Sequence, residues 1–373
     1  MVRKGKENIN SIQLAEDTEC LLASGLDSLY VSFYLDLSTG VIDWEELSLQ
    51  KIKLQTEQHE KFAKITLGYE VFAIKPFGRN PYTYVLENEY FNISLGEKIQ
   101  PNCYVKFSSK GLWQLGLNAL MERTADWLDS LNIVTVKPES ISRADFAFDY
   151  YLPAPNFDLS NFVTRATKKS TWTEHNKLQT IQLGAGDIVI RVYDKVAEIS
   201  QQSKKSWFFE IWNRTSDVWR IEFQIRGKAL REVGIETLSD LKHYQNSLLK
   251  ELAEQHTTLR VPSSDSNRSR WPLHPLWEQL QNDISILPQS GLGSILDPEK
   301  SVQYRMHMQA KSIYGHLKGF GVLLQAKEGG PDPPQLENVV QNLVNFLLLE
   351  HHQQTVWKAD LSKKYEAWRL GQW

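Results

Sequence analysis

The residues of this chain best suited to chemistry fall in three short segments of alternating character. In ISRADFAFDY, at 141–150, Arg143, Asp145, Ala147 and Asp149 alternate with Ala144, Phe146 and Phe148. In DIVIRVYD, at 187–194, Arg191 and Tyr193 stand opposite Ile190 and Val192. In VWRIEFQIR, at 218–226, Arg220, Glu222, Gln224 and Arg226 stand opposite Trp219, Ile221, Phe223 and Ile225. Side chains alternate across a pleated strand, so each polar set points one way. If the three strands share a sheet, its non-core face carries two Asp, one Glu, four Arg and one Tyr.

An exposed antiparallel face is ordinarily polar, and a solvated surface is the plain alternative. The composition argues for more. Arginine suits bidentate phosphate recognition, and close carboxylates repel unless a cation joins them. The chemistry this set supports is metal-assisted phosphoryl transfer onto a tyrosine. Asp145, Asp149 and Glu222 offer hard oxygen ligands for Mg²⁺ or Mn²⁺, which would polarise a phosphodiester. The arginines, Arg191 and Arg220 among them, would clamp the phosphate and stabilise transition-state charge. Tyr193 would attack phosphorus, but a free phenol has a pKa of about 10 and needs nearby positive charge to react at neutral pH. Lys195 is a further source of charge, although KVAEIS reads as a helix start. The ordinary alternative for Tyr193 is a strand tyrosine with its hydroxyl at the surface.

The elements that must position these groups read as α+β. Short strand patterns run from Leu29 to Tyr34 and from Ile65 to Phe107, with a charged helix-prone stretch between them. An amphipathic helix spans 112–130. A meander follows, with strands at 141–150, 178–183, 187–194, 207–212 and 218–226. Gly184-Ala185-Gly186 turns one hairpin and Asn213–Asp217 another. Helical spacing covers 228–253 and 301–326, and GGPDPP at 329–334 is the sharpest break. Strands first and helices last predict a large twisted antiparallel sheet with flanking helices and a mainly helical C-terminal region. The domains expected are a polar tail at 1–20, a catalytic α+β domain at 21–232, a helical DNA-recognition or support region at 233–330 and a helical tail at 331–373.

The 373 residues are 41% hydrophobic and 11% aromatic, too apolar for a disordered or fibrous chain. Two cysteines, Cys20 and Cys103, cannot build a disulfide framework, so a reducing cytoplasm is the expected location. The N-terminal sequence lacks an apolar secretory core, and the apolar block near Leu343–Leu349 is too short for a membrane span. Net charge is −3, yet residues 161–231 hold 13 Lys/Arg against 7 Asp/Glu. A basic segment in an acidic chain suggests a directed footprint for an anionic partner.

The block TIQLGAGDIVIRVYDKVAEI resembles a segment of the replication initiation factor family (Rep_trans type), which includes plasmid rolling-circle initiators, related relaxases and filamentous-phage replication proteins. SRADFAFD resembles the family's upstream acidic strand and WRIEFQIRGKALRE its downstream strand. NRSRWPLHPLW resembles a segment of the phage-type members. The similarity covers roughly residues 25–325 and is strongest at 141–232.

The resemblance implies Tyr193 as a nicking nucleophile, with Arg191 and Lys195 beside it. It implies metal or acid–base roles for Asp145, Asp149 and Glu222, with Glu198 a further candidate. The implied reaction leaves a 5′-phosphotyrosyl link and a free 3′-OH on origin DNA that is supercoiled or single-stranded. A host helicase and a second copy of the chain are the further partners expected.

Arg143, Arg226, Arg268, Arg270 and Trp271 are the expected DNA contacts. Nine histidines include no His-hydrophobe-His pair, which argues against the nickase class built on that pair. Trp207, Trp212 and Trp219 read as cross-strand packing, with base stacking as the alternative. A conjugative relaxase, a non-enzymatic origin- or operator-binding protein and a water-using metal nuclease are the competing functions.

Overall fold

The computed structural model describes residues 20–57, 60–287, 298–329, 332–350 and 353–369. The polar tail expected at 1–20 lies outside them except for Cys20. The first half of the chain contains β1 (Cys20–Asp36), α1 (Trp44–Thr56), β2 (Ala63–Leu67), β3 (Glu70–Ile74), β4 (Tyr84–Glu87) and β5 (Phe91–Leu95). It continues through β6 (Cys103–Phe107), α2 (Ser109–Gln114), α3 (Gly116–Ser130) and β7 (Val134–Tyr151). The second half begins with β8 (Phe162–Thr164), β9 (Lys169–Glu174), β10 (Lys177–Leu183), β11 (Ile188–Asp194), α4 (Lys195–Glu198) and α5 (Phe208–Trp212). Then come β12 (Val218–Arg226), α6 (Gly227–Glu232), α7 (Leu238–Glu251), β13 (Thr257–Leu259) and α8 (Pro275–Ser285). Helices α9 (Pro298–Glu328), α10 (Leu336–Glu350) and α11 (Gln354–Arg369) follow.

Eleven strands form one antiparallel sheet in the order β2-β3-β4-β5-β6-β1-β7-β12-β11-β10-β9, as the α+β reading expects. The order departs from a simple meander. Strand β12 inserts between β7 and β11, so the three chemistry-bearing strands are adjacent. Their apolar faces share one core: Phe146, Phe148, Ile190, Val192, Ile221 and Phe223 pack with Leu241 and Leu249 of α7 and Trp277 and Leu280 of α8. At about 25 cal/mol per Å² of apolar burial, this core is the main source of the sheet's stability.

Three local expectations are corrected. Residues 207–212 are a turn residue and helix α5 (Phe208–Trp212) and not a strand, so 213–217 is not a hairpin between strands. The aromatic content of WFFEIW mimics a strand pattern, but Lys204 at φ 57° and Asn213 at φ 49° bracket a single helical turn. That turn puts Trp207, Phe208 and Trp212 into one cluster. Strand β9, KSTWTE, is polar but for Trp172 and largely exposed, and its pattern gave no signal. The helical stretches at 112–130 and 228–253 are each two helices, broken near Gly116 (φ 80°) and Gly234 (φ 77°), where a left-handed backbone favours glycine. Gly184, at φ 95°, does turn the β10–β11 hairpin, and a Cβ there would come within 2.3 Å of the Ile188 carbonyl. Among the described residues no helix is long and apolar enough to cross a membrane.

Candidate functional site

Cross-strand register assembles the site. Tyr193 on β11 stands opposite Arg220 on β12, which stands opposite Asp149 on β7. One row along, Arg191 faces Glu222 and Glu222 faces Ala147. Gln224 then faces Asp145, which faces Ser28 of β1. Directly opposed residues share a sheet face, so the polar sets of all three strands do converge.

Tyr193 lies at the centre of this face. Its Oη donates to Glu222 Oε2 at 2.9 Å, and Arg191 Nη1 donates to Glu222 Oε1 at 2.9 Å. Arg191 is itself steered by Gln182 Oε1 at 3.1 Å and Gln224 Oε1 at 3.1 Å. The Tyr193 side chain is 8% exposed and sits between two polar hollows. Burial raises its phenol well above the usual value, and the Glu222 charge raises it further, while Arg220 pulls the other way.

One hollow is floored by Asp27, Asp145, Lys195 and Glu222 with Arg143 and Lys205 at its wall. Asp145 is gripped through two oxygens by Arg143, whose Nε lies 2.8 Å from Oδ1. Burial pushes the Asp145 carboxyl up to about 6 against the Arg143 bond, and the neighbouring charges of Glu222 and Asp27 add to the rise. Lys195 follows β11 as the first residue of α4, as the KVAEIS pattern predicts, and its Nζ donates to Glu198 Oε2 at 2.5 Å. That Nζ is 5.5 Å from the centre of the Tyr193 ring. Burial and then Arg220 lower the ammonium to about 8.

Asp149 and Arg220 take a different place from the rest. Both are 0% exposed. Arg220 donates to Asp149 through Nε at 2.6 Å and Nη2 at 2.8 Å, and to Asp27 through Nη1 at 2.9 Å. Trp212 Nε1 completes Asp149 at 3.0 Å, and the Phe208 ring covers the guanidinium at 4.4 Å. Trp212 and Phe208 therefore roof a buried ion pair, Trp207 stacks on Phe208 at 3.9 Å, and neither tryptophan presents a face to solvent.

Asp27 went unnoticed in the sequence. Leu26 pairs with Phe146 and Leu29 with Ala144, so a bulge at Asp27 turns Asp27 and Ser28 to the same face. Period-2 reading fails there, and no other sequence signal marks the residue. Asp27 Oδ1 accepts from Arg220, from Trp113 Nε1 at 2.9 Å and from Ser109 Oγ at 2.9 Å. Burial alone would raise its carboxyl, but Lys205, Arg220 and Lys195 hold it well below the usual range.

The remaining candidates are dispersed. Arg226 is exposed at the end of β12, and neither it nor Arg268, Arg270 or Trp271 lines either hollow. Arg268 donates to the Phe162 carbonyl at 2.9 Å and Trp271 Nε1 to the Asp265 carbonyl at 2.7 Å, in the turn before α8. Tyr150 belongs to the opposite face, buried, with its hydroxyl on Asp283 at 2.8 Å.

Among the described residues no group of three His, Cys, Asp or Glu is drawn together as a finished metal cage. Asp145 and Glu222 nevertheless suit a hard cation: both line one hollow, and their mutual repulsion is the kind a divalent ion relieves. Asp149, fully buried against Arg220 and lining neither hollow, does not fit that donor set.

No family model matches the chain, and no curated protein does. Among solved structures, the chain is similar to a rolling circle replication initiator protein from Geobacillus stearothermophilus. The likeness has 16% identity and a TM-score of 0.40, and covers 70% of this chain and 96% of that one.

Proposed function

We propose that this chain nicks and rejoins one DNA strand as a rolling-circle replication initiator, through a covalent 5′-phosphotyrosine on Tyr193. The observation that carries the reading is the 2.9 Å bond from Tyr193 Oη to Glu222 in a hollow that also holds Asp145, Lys195 and Arg143. The motif order across β7, β11 and β12 supports the same assignment.

In this reading Glu222 accepts the phenolic proton as Oη attacks phosphorus. The Oη–P bond forms and the P–O3′ bond breaks. Lys195, an ammonium lowered to about 8, gives its proton to the departing 3′ oxygen. Arg191 keeps Glu222 aimed at the phenol, and Arg143 fixes Asp145 in the same hollow. Asp145 and Glu222 would hold Mg²⁺ or Mn²⁺, which when bound supplies positive charge to the phosphate oxygens. Arg220 and Asp149 act from beneath: they fix β12 against β7 and set the field around Tyr193. Because the phosphotyrosyl ester conserves the cleaved bond, the released 3′-OH can reverse the step without a nucleotide.

Incubation with supercoiled DNA carrying candidate origins and Mg²⁺, followed by a denaturing gel, tests the reading. It expects a protein-linked strand. Cleavage sensitive to EDTA with no adduct supports a water-using nuclease instead, and binding without cleavage a non-enzymatic origin protein.

A further inference from the structure

The second hollow beside Tyr193 has a different character from the first. It runs from Tyr193 and Glu222 past Gln182, Gln179 and Gln201 to Trp172 on the edge strand β9. Thr180 pairs with Tyr193 on one side and with Trp172 on the other, so the phenol and the indole share a row and a sheet face. Two strand spacings separate their backbones by roughly 10 Å. Trp172 is 49% exposed, whereas Trp113, Trp127, Trp207, Trp212, Trp219 and Trp277 are all buried; Trp357, the other exposed tryptophan among the described residues, lies on the C-terminal helix α11 and lines neither hollow. Edge strands are usually guarded by charge, so a large bare ring in line with the candidate nucleophile is a costly placement without a ligand.

The hollow is lined by Gln202 as well as those three glutamines, together with Glu174, Asp194, Glu198 and Glu222. Gln179 and Gln201 each donate an Nε2 hydrogen bond to Glu174 Oε2, at 3.1 and 2.5 Å, which holds them at the rim. A flat apolar face beside amides, at the β9 end of the hollow three strands from Glu222, matches an unpaired nucleobase, which offers a π-face and polar edges together.

We propose that Trp172, with the glutamines beside it, is a stacking subsite for an unpaired base next to the phosphate that meets Tyr193. The inference rests on the nicking reading for its placement. It adds that this groove takes single-stranded nucleic acid, with the base held by its face on the indole.

Anisotropy of a labelled single-stranded oligonucleotide, measured with the full chain, tests it. Trp172→Ala should weaken binding about 10-fold, the scale of one lost base stack, while Trp172→Phe keeps most of the affinity. Removing the base next to the nicked phosphate should weaken wild-type binding similarly, with little further effect in Trp172→Ala. Duplex binding should be unchanged. The ring is half exposed on an edge strand, so unchanged melting is the check that Trp172→Ala is folded. Equal single-strand affinity for Trp172→Ala and wild type overturns the subsite, as does equal weakening on duplex. A Tyr193→Phe protein that still forms the adduct would overturn the nicking reading while leaving the single-strand measurement intact.

Discussion

Arg220 and Asp149 form a two-pronged ion pair, 2.6 and 2.8 Å long, with neither side chain reaching solvent. Removing one member of such a pair strands a buried charge and costs about 3–5 kcal/mol. Arg220→Met is therefore expected to lower the melting temperature sharply and, by removing the positive charge beside Tyr193, to slow nicking in the protein that remains folded. Asp149→Asn, which keeps an acceptor for Trp212, should be milder. Denaturant unfolding of both checks this. A fully stable Arg220→Met would show that the pair does not hold β12 against β7.

The pH dependence follows from Lys195. Its folded value of about 8 lies below the ordinary 10.5 of a lysine. Between those values the unfolded chain binds a proton that the native chain does not, so stability should rise as pH climbs through that window. Nicking behaves oppositely, because the donor must be protonated: the rate should fall above about pH 8. Lys195→Arg, which does not titrate there, should be slower and should lack the alkaline limb. An unchanged limb in that variant would remove Lys195 from proton donation.

Cation binding separates the acids. Titration calorimetry with Mn²⁺ should show at least about 10-fold weaker binding in Asp145→Asn and in Glu222→Gln, and near wild-type binding in a folded Asp149→Asn. Protons compete for Asp145, whose carboxyl sits near 6 without metal, so affinity should drop as pH falls through that value. Wild-type Mn²⁺ affinity in Asp145→Asn would exclude it as a ligand.

The sheet face was legible because β11, β12 and residues 143–151 of β7 keep an unbroken register, so Asp145, Tyr193 and Glu222 could be placed together before their neighbours were known. Parity gives a face but not a distance. Asp145 and Asp149 alternate identically, yet four residues of strand separate them by about 13 Å, enough for one to line a hollow and the other to lie under the Trp212 roof. Asp27 was invisible because a bulge breaks the very pattern that reveals the others. The aromatic run at 207–212 misled for a different reason: bulky side chains suit a strand and a buried helical turn alike, and only the packing against Trp113 and Arg220 decides. Trp172 lay in a segment too polar and short to read as a strand, so its alignment with Tyr193 depends on tertiary pairing alone.

The Tyr193 hydroxyl itself contributes little to the fold. Tyr193→Phe loses one hydrogen bond while Glu222 keeps Arg191, a change of about 1 kcal/mol, so the variant should fold and bind DNA as the wild type does. Any residual nicking would point to another tyrosine, and Tyr150, buried against Asp283 on the other face, is badly placed to supply it.

The most direct measurement is identification of the residue joined to DNA. Trapped adduct, digested with nuclease and protease, should yield one peptide, VYDK or its extension, with the nucleotide on residue 193. It should be absent from Tyr193→Phe. A nucleotide on any other side chain, or strand cleavage with no linked peptide, would contradict the account.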